Sequence, residues 1–217
     1  MFKEEVLQKV LSYFPDFKIK FKNESWLMKT IGFLMFFNKG FMKSFTTTLG
    51  NTIYFPSKEF VSTRQTSSLV ITMHEIVHMY DAKKMNKFVF SALYASPQIF
   101  ALFSIPLFIL GFNLLALLSL LCLAPIPSYF RMRSEKRAYL ASLYAMKKLN
   151  EKYNYNINLD IQSRFFLDQF KGANYYFMWP LKFMMKDFDD CLIKIKEGKR
   201  PFEDPVFDML DEIVALA

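Results

Sequence analysis

The chain has 217 residues, the length of one domain, and 53% of them are hydrophobic. The formal net charge is +8, but the basic residues flank an apolar segment and do not form a nucleic-acid-binding stripe, so we expect no nucleic-acid partner. The two cysteines, Cys122 and Cys191, provide neither a disulfide framework nor a CxxC ligand pair, and we expect no secretory signal peptide.

The first part of the chain predicts helices, a strand and a β-hairpin. Gly50-Asn51 is a two-residue turn between two β-rich runs, which is typical of a hairpin. A helix follows over residues 69–87, and we expect its N-cap among residues 66–68. From the N-terminus, the predicted elements are helices over 2–14 and 25–37, a strand over 17–22, and hairpin strands over 44–49 and 52–55.

The only two histidines of the chain stand in one pentapeptide, His74-Glu75-Ile76-Val77-His78. This is the pattern HExxH of zinc peptidases. Histidines four residues apart lie on one face of a helix, so both rings can reach one metal ion. Glu75 follows the first ligand and can take a proton from a water molecule that the metal polarises. The pattern predicts one Zn²⁺ per chain.

A catalytic zinc usually has three protein ligands, and no third histidine exists. The candidates are Glu135, Asp81 and Cys122, of which the cysteine is disfavoured because it lies in the apolar segment. We favour Glu135, since a carboxylate from a second, antiparallel helix converges on a tetrahedral point more easily than a residue seven positions along the same helix. Asp81 would then accept a hydrogen bond from the free N–H of a ligand histidine.

An uncharged run of 43 residues extends from Phe88 to Phe130. One membrane crossing needs roughly 20 apolar residues, so the run predicts a helical hairpin, outward over 88–110 and back over 113–123. Basic residues at both ends indicate that these ends, and the site, lie on the cytoplasmic side. The short return arm leaves a shallow, re-entrant or tilted insertion open. The alternative is a buried hairpin of a soluble cytoplasmic protein, or an oligomer interface.

The last part of the chain predicts a C-terminal helical extension, residues 152–217, within a single domain of residues 1–217. A long helix that carries Glu135 precedes it, and Gly198 closes one of its helices. The predicted elements are helices over 131–151, 161–170, 175–196 and 205–217, with a turn-rich loop over 153–160.

The order of a hairpin, an HExxH helix, an uncharged run and a glutamate-bearing helix resembles the gluzincin zinc metallopeptidases. Among these, it is similar to small phage and bacterial metallopeptidases and, more distantly, to membrane peptidases of the CAAX-prenyl-protease and heat-shock types. Glu135-Lys136-Arg137-Ala138-Tyr139 matches their third-ligand segment. The resemblance implies an α+β, mostly helical fold with a zincin-like core, Glu135 as third ligand, and peptide hydrolysis. Such cores place a strand edge beside the active-site helix; the second hairpin strand is either that edge or a support.

Tyr139 stands where these peptidases place an acidic residue soon after the ligand glutamate. No histidine remains to stabilise the oxyanion, so a tyrosine is expected to donate to it. Tyr139, one turn after Glu135, and Tyr144 are the candidates. We therefore expect a membrane-associated zinc endopeptidase that acts on a protein or peptide. The alternative is a non-enzymatic membrane-inserting or partner-binding protein with a structural metal site.

Overall fold

A computed structural model describes residues 3–34, 38, 40–124, 126–171 and 179–217. These residues form a mostly helical α+β fold with one small sheet, as predicted. The helices are α1 (Glu4–Tyr13), α2 (Trp26–Leu34), α3 (Lys58–Thr63), α4 (Gln65–Met85), α5 (Lys87–Ala95), α6 (Ser104–Ile109), α7 (Asn113–Leu120), α8 (Tyr129–Tyr153), α9 (Leu159–Lys171), α10 (Met185–Lys196) and α11 (Val206–Leu216). The strands are β1 (Lys18–Phe21), β2 (Thr47–Leu49) and β3 (Thr52–Phe55).

The sheet has the strand order β1-β3-β2. The predicted hairpin is confirmed, since β2 and β3 pair antiparallel and Gly50 adopts a positive φ of 61° in the turn. β1 pairs with β3 in parallel. Because β3 has a neighbour on each side, the interpretation of this second hairpin strand as a free edge is wrong. Within the described sheet, the edges belong to β1 and β2.

The start of α4 differs from the prediction. The helix begins at Gln65, and its N-cap residue Arg64 makes no side-chain capping hydrogen bond. Residues 66–68 therefore lie inside the first turn. The physical reason is that α3 ends at Thr63, so Arg64 alone separates the two helices and takes the N-cap position, with φ −130° and ψ 51°. The capping serine lies further upstream: Ser57 Oγ accepts from the N–H of Phe60 at 3.1 Å and starts α3.

The core lies around α8, which packs along α4 and is buried over much of its length. α9, α10 and α11 contact α8 from its other sides, and their buried side chains join the same hydrophobic cluster as those of α1, α4 and β3. The described part of the predicted helix over 175–196 is a 3-10 turn, Leu181–Phe183, followed by α10. Pro180 precedes that turn, and residues 35–37 and 175–178 of the predicted helices lie outside the described part.

We expect Leu143→Ala to lower the free energy of unfolding by about 2–5 kcal/mol, because Leu143 is fully buried in α8 and its truncation leaves a cavity. Urea unfolding measures this change. Ile161→Ala removes an exposed side chain, 62% accessible, and should cost less than about 0.5 kcal/mol. Equal losses for the two variants would contradict the packing of α8.

The apolar run does not form the predicted long hairpin. The outward arm breaks after α5: Pro97 holds Ser96 in extended backbone, and Gln98–Ile109 continues at 92° to α5. Gly111, with a φ of 80°, then turns the chain into α7. We call residues 98–123 the apolar layer; they comprise a 3-10 helix (Gln98–Phe103), α6, α7 and a 3-10 turn (Leu121–Leu123).

Across the described ranges, no single helix has the length and apolar composition for a membrane crossing. The bent pair formed by Lys87–Ala95 and Gln98–Ile109 reaches that length and composition only when its two halves are taken together.

Candidate metal centre

Two neighbouring helices bring the site together. His74 and His78 lie one turn apart on the face of α4 that meets α8, and Glu135 lies on α8 opposite them. The Glu135 side chain is only 2% exposed, and those of the histidines are 12% and 10% exposed. The three side chains form a buried group that could hold a metal ion.

The distances within this group match a metal site. Nε2 of His74 lies 3.2 Å from Nε2 of His78 and 3.2 Å from Oε2 of Glu135, and Nε2 of His78 lies 3.3 Å from Oε1 of Glu135. Ligand atoms about 2.0–2.2 Å from a tetrahedral zinc are separated by about 3.3 Å. The separation of the two Nε2 atoms, and of each from its nearer Glu135 oxygen, is therefore of the size that such an ion requires. Of the other two proposed third ligands, Cys122 lies in the apolar layer and Asp81 lies outside this group.

Two serines on α8 face the far side of the imidazoles. Ser142 Oγ donates to the carbonyl of Ala138 at 3.0 Å and also lies 3.4 Å from Nδ1 of His74. Ser134 Oγ lies 3.1 Å from Nδ1 of His78 in a corresponding position. Such outer partners set the tautomer that a metal ligand needs.

The inner side of the group is built around the Glu135 carboxylate. Oε2 of Glu135 is buried and accepts no hydrogen bond within the described chain. Burial alone would raise the pKa of Glu135, but the facing histidines outweigh it and hold that pKa far below its usual range. Burial lowers the pKa of His78, but the Glu135 carboxylate outweighs it and raises the pKa. One carboxylate and two imidazole nitrogens thus face one another in a buried group, as in the donor set of a metal site.

Tyr94 on α5 is a site residue that the sequence analysis missed. Its hydroxyl donates to Oε1 of Glu135, and its ring stands edge-on to His78 with centroids 5.9 Å apart. The ring centroid of Phe90, one turn earlier on α5, lies 6.2 Å from the ring centroid of His78. The Tyr94 hydroxyl occupies Oε1, so Oε2 remains for a ligand bond beside His74. The sequence held no signal for this, because Tyr94 stands in an uncharged run that indicated lipid contact.

Asp81 does not take the role predicted for it. Its Oδ2 lies 3.1 Å from Nε of Arg137, whose Nη1 also lies 2.9 Å from Oδ2 of Asp204. Burial raises the pKa of Asp81 despite the attraction of Arg137. The Nδ1 atoms of the histidines face Ser134 and Ser142 instead. Asp81 therefore links α4 to α8 through an ion pair, and the serines take the place that was predicted for it.

The two tyrosines proposed as oxyanion donors lie in different surroundings. Tyr139 is buried beside the site, with its ring centroid 4.9 Å from that of His74 and 4.5 Å from that of Phe166, on which it stacks. Its role as a donor stays a prediction. Tyr144 donates its hydroxyl to Asp211 at 2.7 Å, and burial and this carboxylate raise its pKa to about 12. Tyr144 therefore belongs to the contact of α8 with α11.

Glu75 lies on α4 next to the first histidine and is half-buried. Its carboxylate interacts electrostatically with Lys22, which directly follows β1 in sequence and is fully buried. Burial lowers the pKa of Lys22 to about 8, although the charge of Glu75 opposes this shift. The Nζ of Lys22 donates to the carbonyl of Phe41 at 2.7 Å. The end of β1 thus contributes a positive charge on the Glu75 side of the site.

No family model, curated protein or solved structure matches this chain. The resemblance to gluzincin peptidases therefore rests on the motif and on the order of the elements. The buried group of His74, His78 and Glu135 is a separate observation about this chain and does not depend on that resemblance.

We expect Tyr94→Phe to weaken zinc binding by about 10–100-fold, because Glu135 loses the donor that orients it. Competition with a chromophoric chelator measures the dissociation constant. Tyr129→Phe is the matched control, since the Tyr129 ring is 49% exposed and packs on Trp179. Unchanged affinity in Tyr94→Phe, or an equal loss in the control, would contradict the assigned role.

Proposed function

We propose that this chain is a zinc-dependent peptidase in which His74, His78 and Glu135 hold the metal and Glu75 is the general base. The observation that carries the proposal is a buried group in which the two Nε2 atoms lie 3.2 Å apart and each lies 3.2–3.3 Å from an oxygen of Glu135, with a carboxylate residue directly after the first ligand. Two imidazoles and one carboxylate are the ligand set of several catalytic zinc sites.

The number of ligands favours a catalytic over a structural site. Structural zinc sites are closed by four protein ligands, whereas catalytic sites use three and leave one position open. The described residues supply three. Manganese and iron accept the same donors, so elemental analysis of the purified protein is needed to identify the ion.

The proposed chemistry divides between the metal and Glu75. Zinc held by these ligands would lower the pKa of a water molecule and polarise the scissile carbonyl. Glu75 accepts the proton of that water and transfers it to the leaving amine nitrogen, so that one carboxylate acts first as base and then as acid. The serine partners of His74 and His78 keep both Nε2 atoms directed at the metal.

The proposal includes a zincin-like core. The packing of α4 against α8 supplies the ligands, and the small sheet has two edges, β1 and β2, at which an extended peptide could add a strand. Backbone pairing of this kind recognises peptides with little demand on their side chains, which suits an endopeptidase.

Incubation of the zinc-loaded protein with a mixture of unrelated peptides, followed by mass spectrometry, tests the proposal. We expect new termini that a zinc chelator abolishes and that added zinc restores. Chelator-insensitive products would indicate a contaminating protease. No cleavage by folded protein that contains one zinc per chain would favour the alternative, a structural metal in a non-enzymatic protein.

A further inference from the structure

In the apolar layer the buried side chains are small and the large apolar side chains are exposed, which is the reverse of the arrangement in a water-soluble domain. The layer's buried residues Ala101, Ser104 and Ala116 are at most 7% exposed. Its large apolar side chains point outward, and Ile109 is 80% exposed. The exposed set comprises Phe100, Leu102, Phe103, Ile105, Phe108, Ile109, Leu110, Phe112, Leu114, Leu115, Leu117, Leu118, Leu120, Leu121 and Leu123. Small residues between helices and large apolar residues outside are typical of helices in lipid.

The layer contains few polar side chains. Ser119 Oγ donates to the carbonyl of Ala116 at 2.8 Å within α7. Asn113 to Leu123 contains eleven residues. At 1.5 Å per residue this arm spans about 16 Å, roughly half of the 30 Å hydrocarbon core of a bilayer. The arm therefore has the length of a single leaflet.

Basic side chains lie where the chain enters and leaves this layer. Lys84 and Lys87 are exposed at the end of α4 and the start of α5, and Arg133 is exposed near the start of α8. Within the described residues, Lys84 and Arg133 form no ion pair. Cations beside an apolar surface complement the anionic headgroups of a membrane.

A cavity of about 470 Å³ lies between α4, α5 and α8 and includes these two basic residues, Lys84 and Arg133. Lys84 and Arg133 line it together with an apolar wall, and Tyr94, Ser134 and Arg137 also contact it. The apolar wall comprises Met85, Phe90, Leu93 and Phe130. The cavity also contacts Asp81 and Asp204, whose charges are paired with Arg137. Three basic and two acidic side chains line the cavity, so the formal charge of its lining is +1.

We propose that the apolar layer inserts into one leaflet of a bilayer and that this cavity binds the headgroup region of an anionic phospholipid. The anionic group would lie between Lys84 and Arg133, and an acyl chain would follow the apolar wall toward the exposed layer. A headgroup between two cations with a chain along hydrocarbon is the contact that an amphiphile requires. The proposal does not rest on zinc or on peptidase activity.

Flotation of the full chain with vesicles tests this proposal. Vesicles of phosphatidylcholine alone are compared with vesicles that contain phosphatidylglycerol. We expect wild type to bind the anionic vesicles more tightly. Lys84→Glu/Arg133→Glu should lower the partition coefficient on anionic vesicles by at least about tenfold, whereas Lys18→Glu/Lys20→Glu, with the same change of net charge on exposed β1 residues, should change it by less than about threefold.

Leu102→Asp/Ile109→Asp tests the layer itself. Both side chains are exposed, so circular dichroism should match wild type while binding to both kinds of vesicle is lost. The proposal is overturned if wild type does not float, or if the β1 control loses as much binding as the cavity variant. It is also overturned if wild type forms a stable lipid-free dimer that Leu102→Asp/Ile109→Asp dissociates, since a second copy would then cover the layer. A negative result leaves the peptidase proposal intact, because the assay needs neither metal nor activity.

Discussion

Replacing Glu75 with glutamine is expected to leave one zinc per chain and to lower peptide hydrolysis by about 10²–10⁴-fold, the usual contribution of a general base. The amide has the size of the carboxylate but cannot accept a proton, and Glu75 is not in the group that could hold the metal. Turnover of a cleaved peptide from the mixture, with zinc content measured on the same sample, gives both quantities.

Glu59→Gln is the control for the Glu75 variant, since it makes the same change in the first turn of α3. Its activity should equal that of wild type. Full activity in Glu75→Gln would refute the proposed mechanism. Loss of zinc together with activity would instead show that Glu75 supports the metal site and would leave its role as a base unproven.

Removal of the Glu135 carboxylate is expected to lower zinc affinity by more than about a hundredfold, beyond the loss typical for an outer partner of a ligand. Only two imidazoles would remain, too few to define a tetrahedral site. Elemental analysis should find about one zinc per chain in wild type and almost none in Glu135→Ala. Glu135→Gln keeps the volume and the acceptor for Tyr94, and should also lose the metal.

Asp81→Asn is the matched comparison for the Glu135 variants. It removes a carboxylate from the same helix pair but outside the metal group, so bound zinc should remain near one per chain. Its stability should fall, because Arg137 loses one of two carboxylates. Loss of zinc in Asp81→Asn with retention in Glu135→Gln would reverse the assignment of the third ligand.

The placement of the two histidines on one helix face was predictable from sequence. Of the residues that other helices bring to the site, only Glu135 could be proposed. His74 and His78 share a helix face because four residues make about one turn, which no tertiary contact can change. Glu135 followed from a count of ligands and from the expected antiparallel helix. Tyr94, Ser134 and Ser142 could not be predicted, since their roles depend on how α5 and α8 meet the imidazoles.

The hairpin of β2 and β3 was predictable because its Gly50-Asn51 turn is local. The parallel pairing of β1 with β3 was not, because it joins segments more than thirty residues apart.

The long helical hairpin predicted for the apolar run was wrong for a different reason. The 43 residues of this run contain no charged position and only scattered polar ones, too few to mark a buried or exposed face. Without such marks, composition predicted a hairpin but not the bend after α5.

The contact between His78 and Ser134 joins positions 56 residues apart, and the whole apolar layer lies in the loop between them. An ion shared by α4 and α8 would therefore cross-link the two ends of this loop, much as a disulfide closes a loop and restricts the unfolded chain. Occupancy of the metal centre would then fix the base from which the layer projects. The free energy of unfolding would then increase with metal content, and the orientation of the apolar layer relative to α4 and α8 would depend on it.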